Sequence, residues 1–386
     1  MNDFTFSYPT KVYFGEKTAG KNLPDELKKH GKTVLLAYGG GSIKQNGIYD
    51  ELTAILKDAG KEIVEFSGIM SNPTYDKLQE GARLAREHNV DFILAVGGGS
   101  VIDCCKIVSA QAKLDEDMWE YQYTQKKLPT EFIPMGAVVT AFGTGAEMNN
   151  GAVITHVEKM QKAPLWGAFY DFAVLDPAYT MSMPLRQVIS GAFDTLSHCM
   201  ETYFGRPMED NLTDEINEAV MRNVIRHIRT TLSDPEDRFA RGELIWAAAM
   251  AENGILKIGK VTDFQCHMME HQLGAYTDCN HGMGLSALHV AYYRYICEKG
   301  TDKFARFARR VWGIDPAGKS APELARAGLD ALADFIQEIG MPSNLRELGI
   351  PLDLPWKEIS DSVILTPGGY GELTHEDVLK IFEASK

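Results

Sequence analysis

Residues 91–110, DFILAVGGGSVIDCCKIVSA, decide the fold class. A short apolar run ends in three glycines and a serine, and a helical pattern begins at once, as in the strand–turn–helix unit of an α/β sheet. Upstream, TVLLAY at 33–38, a helix near 47 to 59, EIVEF at 62–66 and a helix near 74 to 88 keep the same alternation. A parallel sheet with Rossmann-like organisation is therefore expected.

Two of these strands end in the same tetrad, Gly39-Gly40-Gly41-Ser42 and Gly97-Gly98-Gly99-Ser100. Glycines between strand and helix let backbone N–H groups approach an anion, and the helix N-terminus adds partial positive charge. The second tetrad is the expected pyrophosphate site. Neither completes GxGxxG, because Ile43-Lys44 and Val101-Ile102 occupy the positions where the third glycine should follow. A third glycine-rich run, TAFGTGAE from Thr140 to Glu147, follows IPMGAVV. Ligands of open α/β sheets sit beyond the carboxyl ends of the strands, so the three turns are expected to converge on one nucleotide crevice. The plain alternative is that Gly143 and Gly145 only make tight turns.

Beyond Asp176-Pro177 and Met183-Pro184 the strand signals stop and long helical patterns follow, such as RQVISGAFDTLSHCMETYF and NEAVMRNVIRHIRTTL. Two domains are expected: residues 1–185, Rossmann-like and dinucleotide-binding, and residues 186–386, all-helical and metal-binding, with the active site in the cleft between them. In DTLSH, Asp194 and His198 stand at i and i+4; in HMMEHQ, His267 and His271 repeat the offset; His281 follows a turn expected to contain glycine, in the run NHGMG. A lone helical histidine is ordinarily just packed. This clustering points instead to Zn²⁺ or Fe²⁺, since three imidazoles and one carboxylate can leave a position open for substrate oxygen. Cys199 and Cys266 adjoin these positions and are read as packing residues.

The formal charge, 39 − 53 = −14, argues against a nucleic-acid partner. No run approaches the roughly 18–20 apolar residues of a membrane span, and MNDFTFSYPT resembles no signal peptide. Six cysteines without CxxC spacing suit a reducing compartment. A cytoplasmic protein without membrane or nucleic-acid partners is expected.

YGGGSIKQNG, Asn72-Pro73, AVGGGSVIDCCK, TAFGTGAE, FAVLDP, DTLSH, HMMEH and HGMG together resemble the iron-dependent (group III) alcohol dehydrogenase family, in its butanol dehydrogenase and broad-specificity aldehyde reductase branch, over nearly the full chain. The resemblance implies NAD or NADP and one catalytic divalent metal, Fe²⁺ or Zn²⁺, held by Asp194, His198, His267 and His281. His271 matches a non-ligand histidine near substrate and nicotinamide, and is the candidate proton relay or positioning residue. Asn72, Gly97, Gly98, Gly99, Ser100, Asp103, Thr140, Thr144 and Lys162 match cofactor-contacting positions. Ala146 departs from the usual GTGSE run. NAD-specific relatives carry an acid after the first strand; here Gly39 and Gly40 stand there, with Gly41, Ser42 and Lys44 behind, which favours NADP(H) over NAD(H).

The expected activity is direct hydride transfer between NAD(P)(H) and small to medium aliphatic alcohols and aldehydes, of the butanol/butanal type, with the metal as Lewis acid. Phe142, Asn149, Asn150 and Trp246 are candidate pocket residues. A homodimer is expected through FTFSYPTKVYFG, read as a hairpin-like edge. The same arrangement is similar to glycerol dehydrogenase, a polyol oxidoreductase, and to dehydroquinate synthase, a lyase. The lyase would need several Lys and Arg around its site, and the segments bordering the ligands hold none. A metal hydrolase or a non-catalytic sensor are further alternatives; the hydrolase leaves the glycine-rich turns unexplained.

Overall fold

The computed structural model describes residues 2–386. Two compact units are present: Ser7–Pro184, and Leu185–Lys386 joined by the N-terminal segment through Phe6. A linear boundary near residue 185 does not anticipate that return; it is carried in part by the Asn2 N–H, which donates to the Gly259 carbonyl at 3.1 Å.

In the first unit the strands are β1 (Lys11–Phe14), β2 (Thr33–Tyr38), β3 (Glu62–Phe66), β4 (Phe92–Gly97), β5 (Met135–Val139), β6 (Gly151–His156), β7 (Gln161–Trp166) and β8 (Phe172–Leu175). Six of them pair in parallel in the order β1-β8-β5-β4-β2-β3. β2, β4 and β5 are apolar along nearly their whole length and buried, as strands covered on both faces must be. Val34, Leu36 and Tyr38 pack with residues of helices α1 (Thr18–Leu27), α2 (Ser42–Gln45) and α3 (Ile48–Asp58) in one core cluster. Helices α4 (Tyr75–Glu87) and α5 (Gly99–Gln111) complete the alternation.

The order decides where a ligand can sit. β2 lies between β3 and β4, so the chain leaves β2 in one direction and resumes on its other side. In open α/β sheets a ligand crevice is expected at such a reversal, here outside the carboxyl ends of β2 and β4. Both glycine tetrads follow these two strands, and Thr140–Glu147 follows the adjacent β5.

Two sequence expectations need correction. β6 and β7 form a separate antiparallel hairpin that the parallel reading did not foresee. FTFSYPTKVYFG is not a hairpin: only Lys11–Phe14 is a strand, and it pairs in parallel with β8 at the sheet edge. Pro9 supplies no N–H for a ladder, and residues 2–10 carry no regular secondary structure.

The second unit is helical: α6 (Leu185–Tyr203), α7 (Leu212–Ser233), α8 (Arg238–Glu252), α9 (Gln265–Thr277) and α10 (His281–Ile296), then Thr301–Arg310, Ala321–Glu338 and shorter helices. α6 is buried continuously from Val188 to Tyr203, packed against α7, α8 and α10. No helix among the described residues is long and apolar enough to cross a membrane.

Candidate active site

Helix α6 carries Asp194, His198 and Glu201 at i, i+4 and i+7, a spacing that puts all three on one face. α9 presents His267 and His271, and His281 is the first residue of α10. The turn before His281 contains Asp278 in the left-handed region (φ 50°) rather than a glycine, and Asn280 caps α10 by accepting from the Met283 N–H. The glycines of HGMG do other work. A Cβ on Gly282 would stand 2.2 Å from the Ser190 carbonyl oxygen, and one on Gly284 2.8 Å from Glu270 Cγ. Their lack of side chain lets the start of α10 seat closely on α6 and α9, which brings His281 to Asp194.

The four expected ligands meet. Asp194 Oδ1 lies 3.5 Å from His267 Nε2, 3.5 Å from His281 Nε2 and 3.8 Å from His198 Nε2. Asp194, His267 and His281 form one set whose ligand atoms all lie within 4.8 Å of one another; His198 is not among them. Bonds of roughly 2.0–2.2 Å at tetrahedral angles put neighbouring donors about 3.3–3.6 Å apart, so the spacing fits one small divalent ion. Asp194 Oδ1 and His267 Nε2 are buried and make no hydrogen bond, an arrangement that is costly unless a cation completes it. His281 keeps 24% of its side chain exposed, against 3% for His267, so the centre opens on the His281 side.

Electrostatics prepare the donors. Burial alone would raise the Asp194 carboxyl, but His198 and His281 overcome it and hold the group well below the usual carboxylate range. Burial lowers His198 to about 4 against the pull of Asp194, so its ring is neutral and ligand-ready. Burial also presses on His267, yet Glu201 and Asp194 on either side raise it to about 10. Cys199 and Cys266 are buried and their thiols are pushed up by that burial, which fits packing rather than coordination.

Two carboxylates absent from the sequence reading stand behind the ligands. Glu201 accepts from His267 Nδ1 and from the backbone N–H of Cys266; Glu270 accepts from His281 Nδ1. The signal was available: Glu201 continues the Asp194–His198 face by one turn, and Glu270 lies inside HMMEHQ. His271 is buried with its ring 5.5 Å from that of His281. Glu270, His271 and His281 form a second close group, but Glu270 faces the Nδ1 edge of His281, whose Nε2 faces Asp194.

At the sheet, the thirteen-residue helix α5 starts at Gly99 with no side-chain cap, and the Val101 and Ile102 N–H groups donate to the Gly98 carbonyl, each at 3.1 Å. A Cβ on Gly98 would lie 2.9 Å from Ala141 Cβ, and one on Gly99 2.4 Å from Thr144 Oγ1. The Gly97–Ser100 turn and the Thr140–Glu147 turn are thus packed together, and the Thr140 N–H donates to the Gly97 carbonyl at 3.0 Å. Asn72 adopts φ 51° beside Pro73, whose carbonyl accepts from Thr155, and Thr155 pairs with Lys162 across the hairpin. Asp103 is bound into the fold, 3.3 Å from Lys106 Nζ and accepting from the Val153 N–H at 2.9 Å. Lys106 also donates to the Asn149 side-chain oxygen at 2.8 Å. Ala146, where a serine was expected, is buried. Near Gly39–Ser42, Lys44 Nζ lies 3.5 Å from Glu65 and over the ring of Tyr49 at 4.5 Å.

Comparison with known proteins agrees with this architecture along the whole chain. The family model described as iron-containing alcohol dehydrogenase matches residues 9–177, and that of the Fe-containing alcohol dehydrogenase family, C-terminal, matches residues 188–386. The chain is 39% identical over 394 residues to NADH-dependent butanol dehydrogenase A of Clostridium acetobutylicum, covering 100% of both. It is 34% identical over 393 residues to the NADPH-dependent aldehyde reductase YqhD of Escherichia coli, again covering 100% of both. The crystal structure of NADH-dependent butanol dehydrogenase A from Thermotoga maritima superposes with a TM-score of 0.94 at 32% identity, covering 100% of this chain and 99% of that one.

Proposed function

The chain belongs to the iron-containing alcohol dehydrogenase family, and from that premise we propose that Asp194, His198, His267 and His281 hold one Fe²⁺ or Zn²⁺ for the interconversion of small to medium aliphatic aldehydes and alcohols. The oxidoreductase class follows from the family, and the lyase and polyol alternatives are not favoured. The observation that carries the metal assignment is the spacing of three imidazole Nε2 atoms at 3.5–3.8 Å around one buried carboxylate oxygen.

Asp194, His198, His267 and His281 would hold a divalent cation whose Lewis acidity would polarise a substrate carbonyl, and a bound nicotinamide would supply or accept the hydride. Asp194 remains anionic and His198 neutral, so both donate without first losing a proton. His281, the partly exposed ligand, borders the side from which substrate enters. His271, stacked against His281, carries the proton exchanged with the substrate oxygen or orients that ring.

Gly97–Ser100 and the N-terminus of α5 take the pyrophosphate, with Thr140, Thr144, Asn72, Asp103 and Lys162 around the cofactor and Gly39–Ser42 at the adenosine ribose. NADP(H) is favoured over NAD(H) because Gly39 and Gly40 bring no negative charge, although Glu65 already shares Lys44. The named relatives include both an NADH- and an NADPH-dependent enzyme. A homodimer through the exposed β1 edge is supported by Phe4, Phe6, Tyr8 and Phe14, all solvent-exposed in the single chain. Six free, buried cysteines fit a cytoplasmic setting.

The test is butanal-dependent oxidation of NADPH and NADH by protein loaded with Fe²⁺ or Zn²⁺. Turnover with NADPH exceeding that with NADH is expected; no turnover with either cofactor, in either direction, would overturn the reading.

A further inference from the structure

We propose that Glu201 and Glu270 are positioning residues of the cation centre, fixing His267 and His281 in the one tautomer that directs Nε2 at Asp194 and raising the site's retention of its ion. The proposal rests on the ligand set above and adds what holds two of its members.

An imidazole that donates from Nδ1 presents the lone pair of Nε2, and it can do so reliably only if Nδ1–H has a fixed acceptor. Both rings have one. Glu201 lies against His267 Nδ1 and Glu270 against His281 Nδ1, and both carboxylates are fully buried. They come from different helices: Glu201 from α6, one turn beyond His198, and Glu270 from α9, one residue before His271. Each helix therefore supplies a first donor to the centre and a carboxylate that aims the donor of a neighbour. Asp194, Glu201 and Glu270 together bury three carboxylates against the His267 and His281 rings, a concentration of negative charge that favours a divalent cation at their focus.

Glu201 also performs a purely structural task. Phe264, at the head of α9, offers no side-chain cap, and Glu201 takes the Cys266 N–H. Glu270 sits in the middle of α9, accepting from Cys279 Sγ at 3.8 Å as well as from His281, and Glu270→Gln keeps an oxygen acceptor there, so it tests the aiming of the ring apart from the helix-end contact that Glu201 makes.

The experiment compares wild type, Glu201→Gln and Glu270→Gln, each stripped of metal, by Zn²⁺ titration against a chromophoric chelator and by the visible spectrum of the Co²⁺ form. Glu270→Gln is expected to weaken Zn²⁺ binding about 10- to 100-fold and to shift the Co²⁺ bands, while the metal-free thermal midpoint stays close to wild type. Glu201→Gln should show the same loss with a lower metal-free midpoint. Zn²⁺ affinity of Glu270→Gln within twofold of wild type, with an unchanged Co²⁺ spectrum, overturns this proposal alone. Wild-type protein that takes up neither ion overturns the ligand set and the proposal with it.

Discussion

Asp194 Oδ1 and His267 Nε2 face each other at 3.5 Å in the buried core of the helical unit, and neither makes a hydrogen bond. A cation between them would satisfy both atoms, as the proposed ligand set requires. Replacing His267 or His281 with alanine should therefore remove most bound metal and reduce turnover at least a hundredfold. Elemental analysis of the purified variants checks this, and full metal content in either would remove that residue from the ligand set.

His267 makes the metal-free protein sensitive to pH. Burial opposes its charge, but Glu201 and Asp194 raise it from the ordinary 6.5 to about 10. A folded-state value above the unfolded one stabilises fully below about pH 6.5, and the contribution is lost as pH climbs to about 10, at about 1.4 kcal/mol per unit. Thermal midpoints of the chelated protein should fall across that window. Metal uptake displaces the same proton, so apparent Zn²⁺ affinity should rise about tenfold per unit there. Midpoints and affinity both flat across the window would contradict this account.

Gly282 tests how His281 is delivered. A Cβ there meets the Ser190 backbone oxygen at 2.2 Å, which no rotamer change relieves. Gly282→Ala should displace the start of α10, lose most bound metal and cost about 1–3 kcal/mol of stability. Chemical denaturation together with metal content would read both effects; retention of both would show that α10 seats differently.

Cofactor choice is best probed at Gly40 rather than Gly39. A Cβ on Gly39 lies 3.1 Å from the Ile69 carbonyl oxygen, whereas one on Gly40 meets nothing within 4 Å. Gly40→Asp should lower kcat/KM for NADPH at least tenfold more than for NADH, through repulsion of a 2′-phosphate. Equal losses would show that this turn does not face the ribose.

How much was legible in the sequence follows from which signals are local. The strand–glycine–helix unit at 91–110 and the i, i+4 pairs at Asp194 and His267 are written within a few residues, and each element forms where it was read. The β6–β7 hairpin was missed because Gly151–His156 and Gln161–Trp166 carry mixed polarity and form a two-stranded sheet apart from the parallel one. Glu201 and Glu270 escaped because a buried carboxylate in a helix reads like a surface one until its partner arrives from another helix. The meaning of Gly282 was equally hidden, since only the approach of Ser190 shows why a side chain is excluded. The parallel edge strand β1 was mistaken for part of a hairpin because its partner, β8, lies far along the chain.

The most direct test follows aldehyde-dependent NAD(P)H oxidation by one protein sample as purified, after chelation, and after anaerobic return of Fe²⁺ or Zn²⁺. The account predicts loss of turnover with the metal and recovery with its return, in proportion to about one ion bound per chain. Turnover that persists at full rate in the chelated protein, with metal absent by elemental analysis, would contradict it.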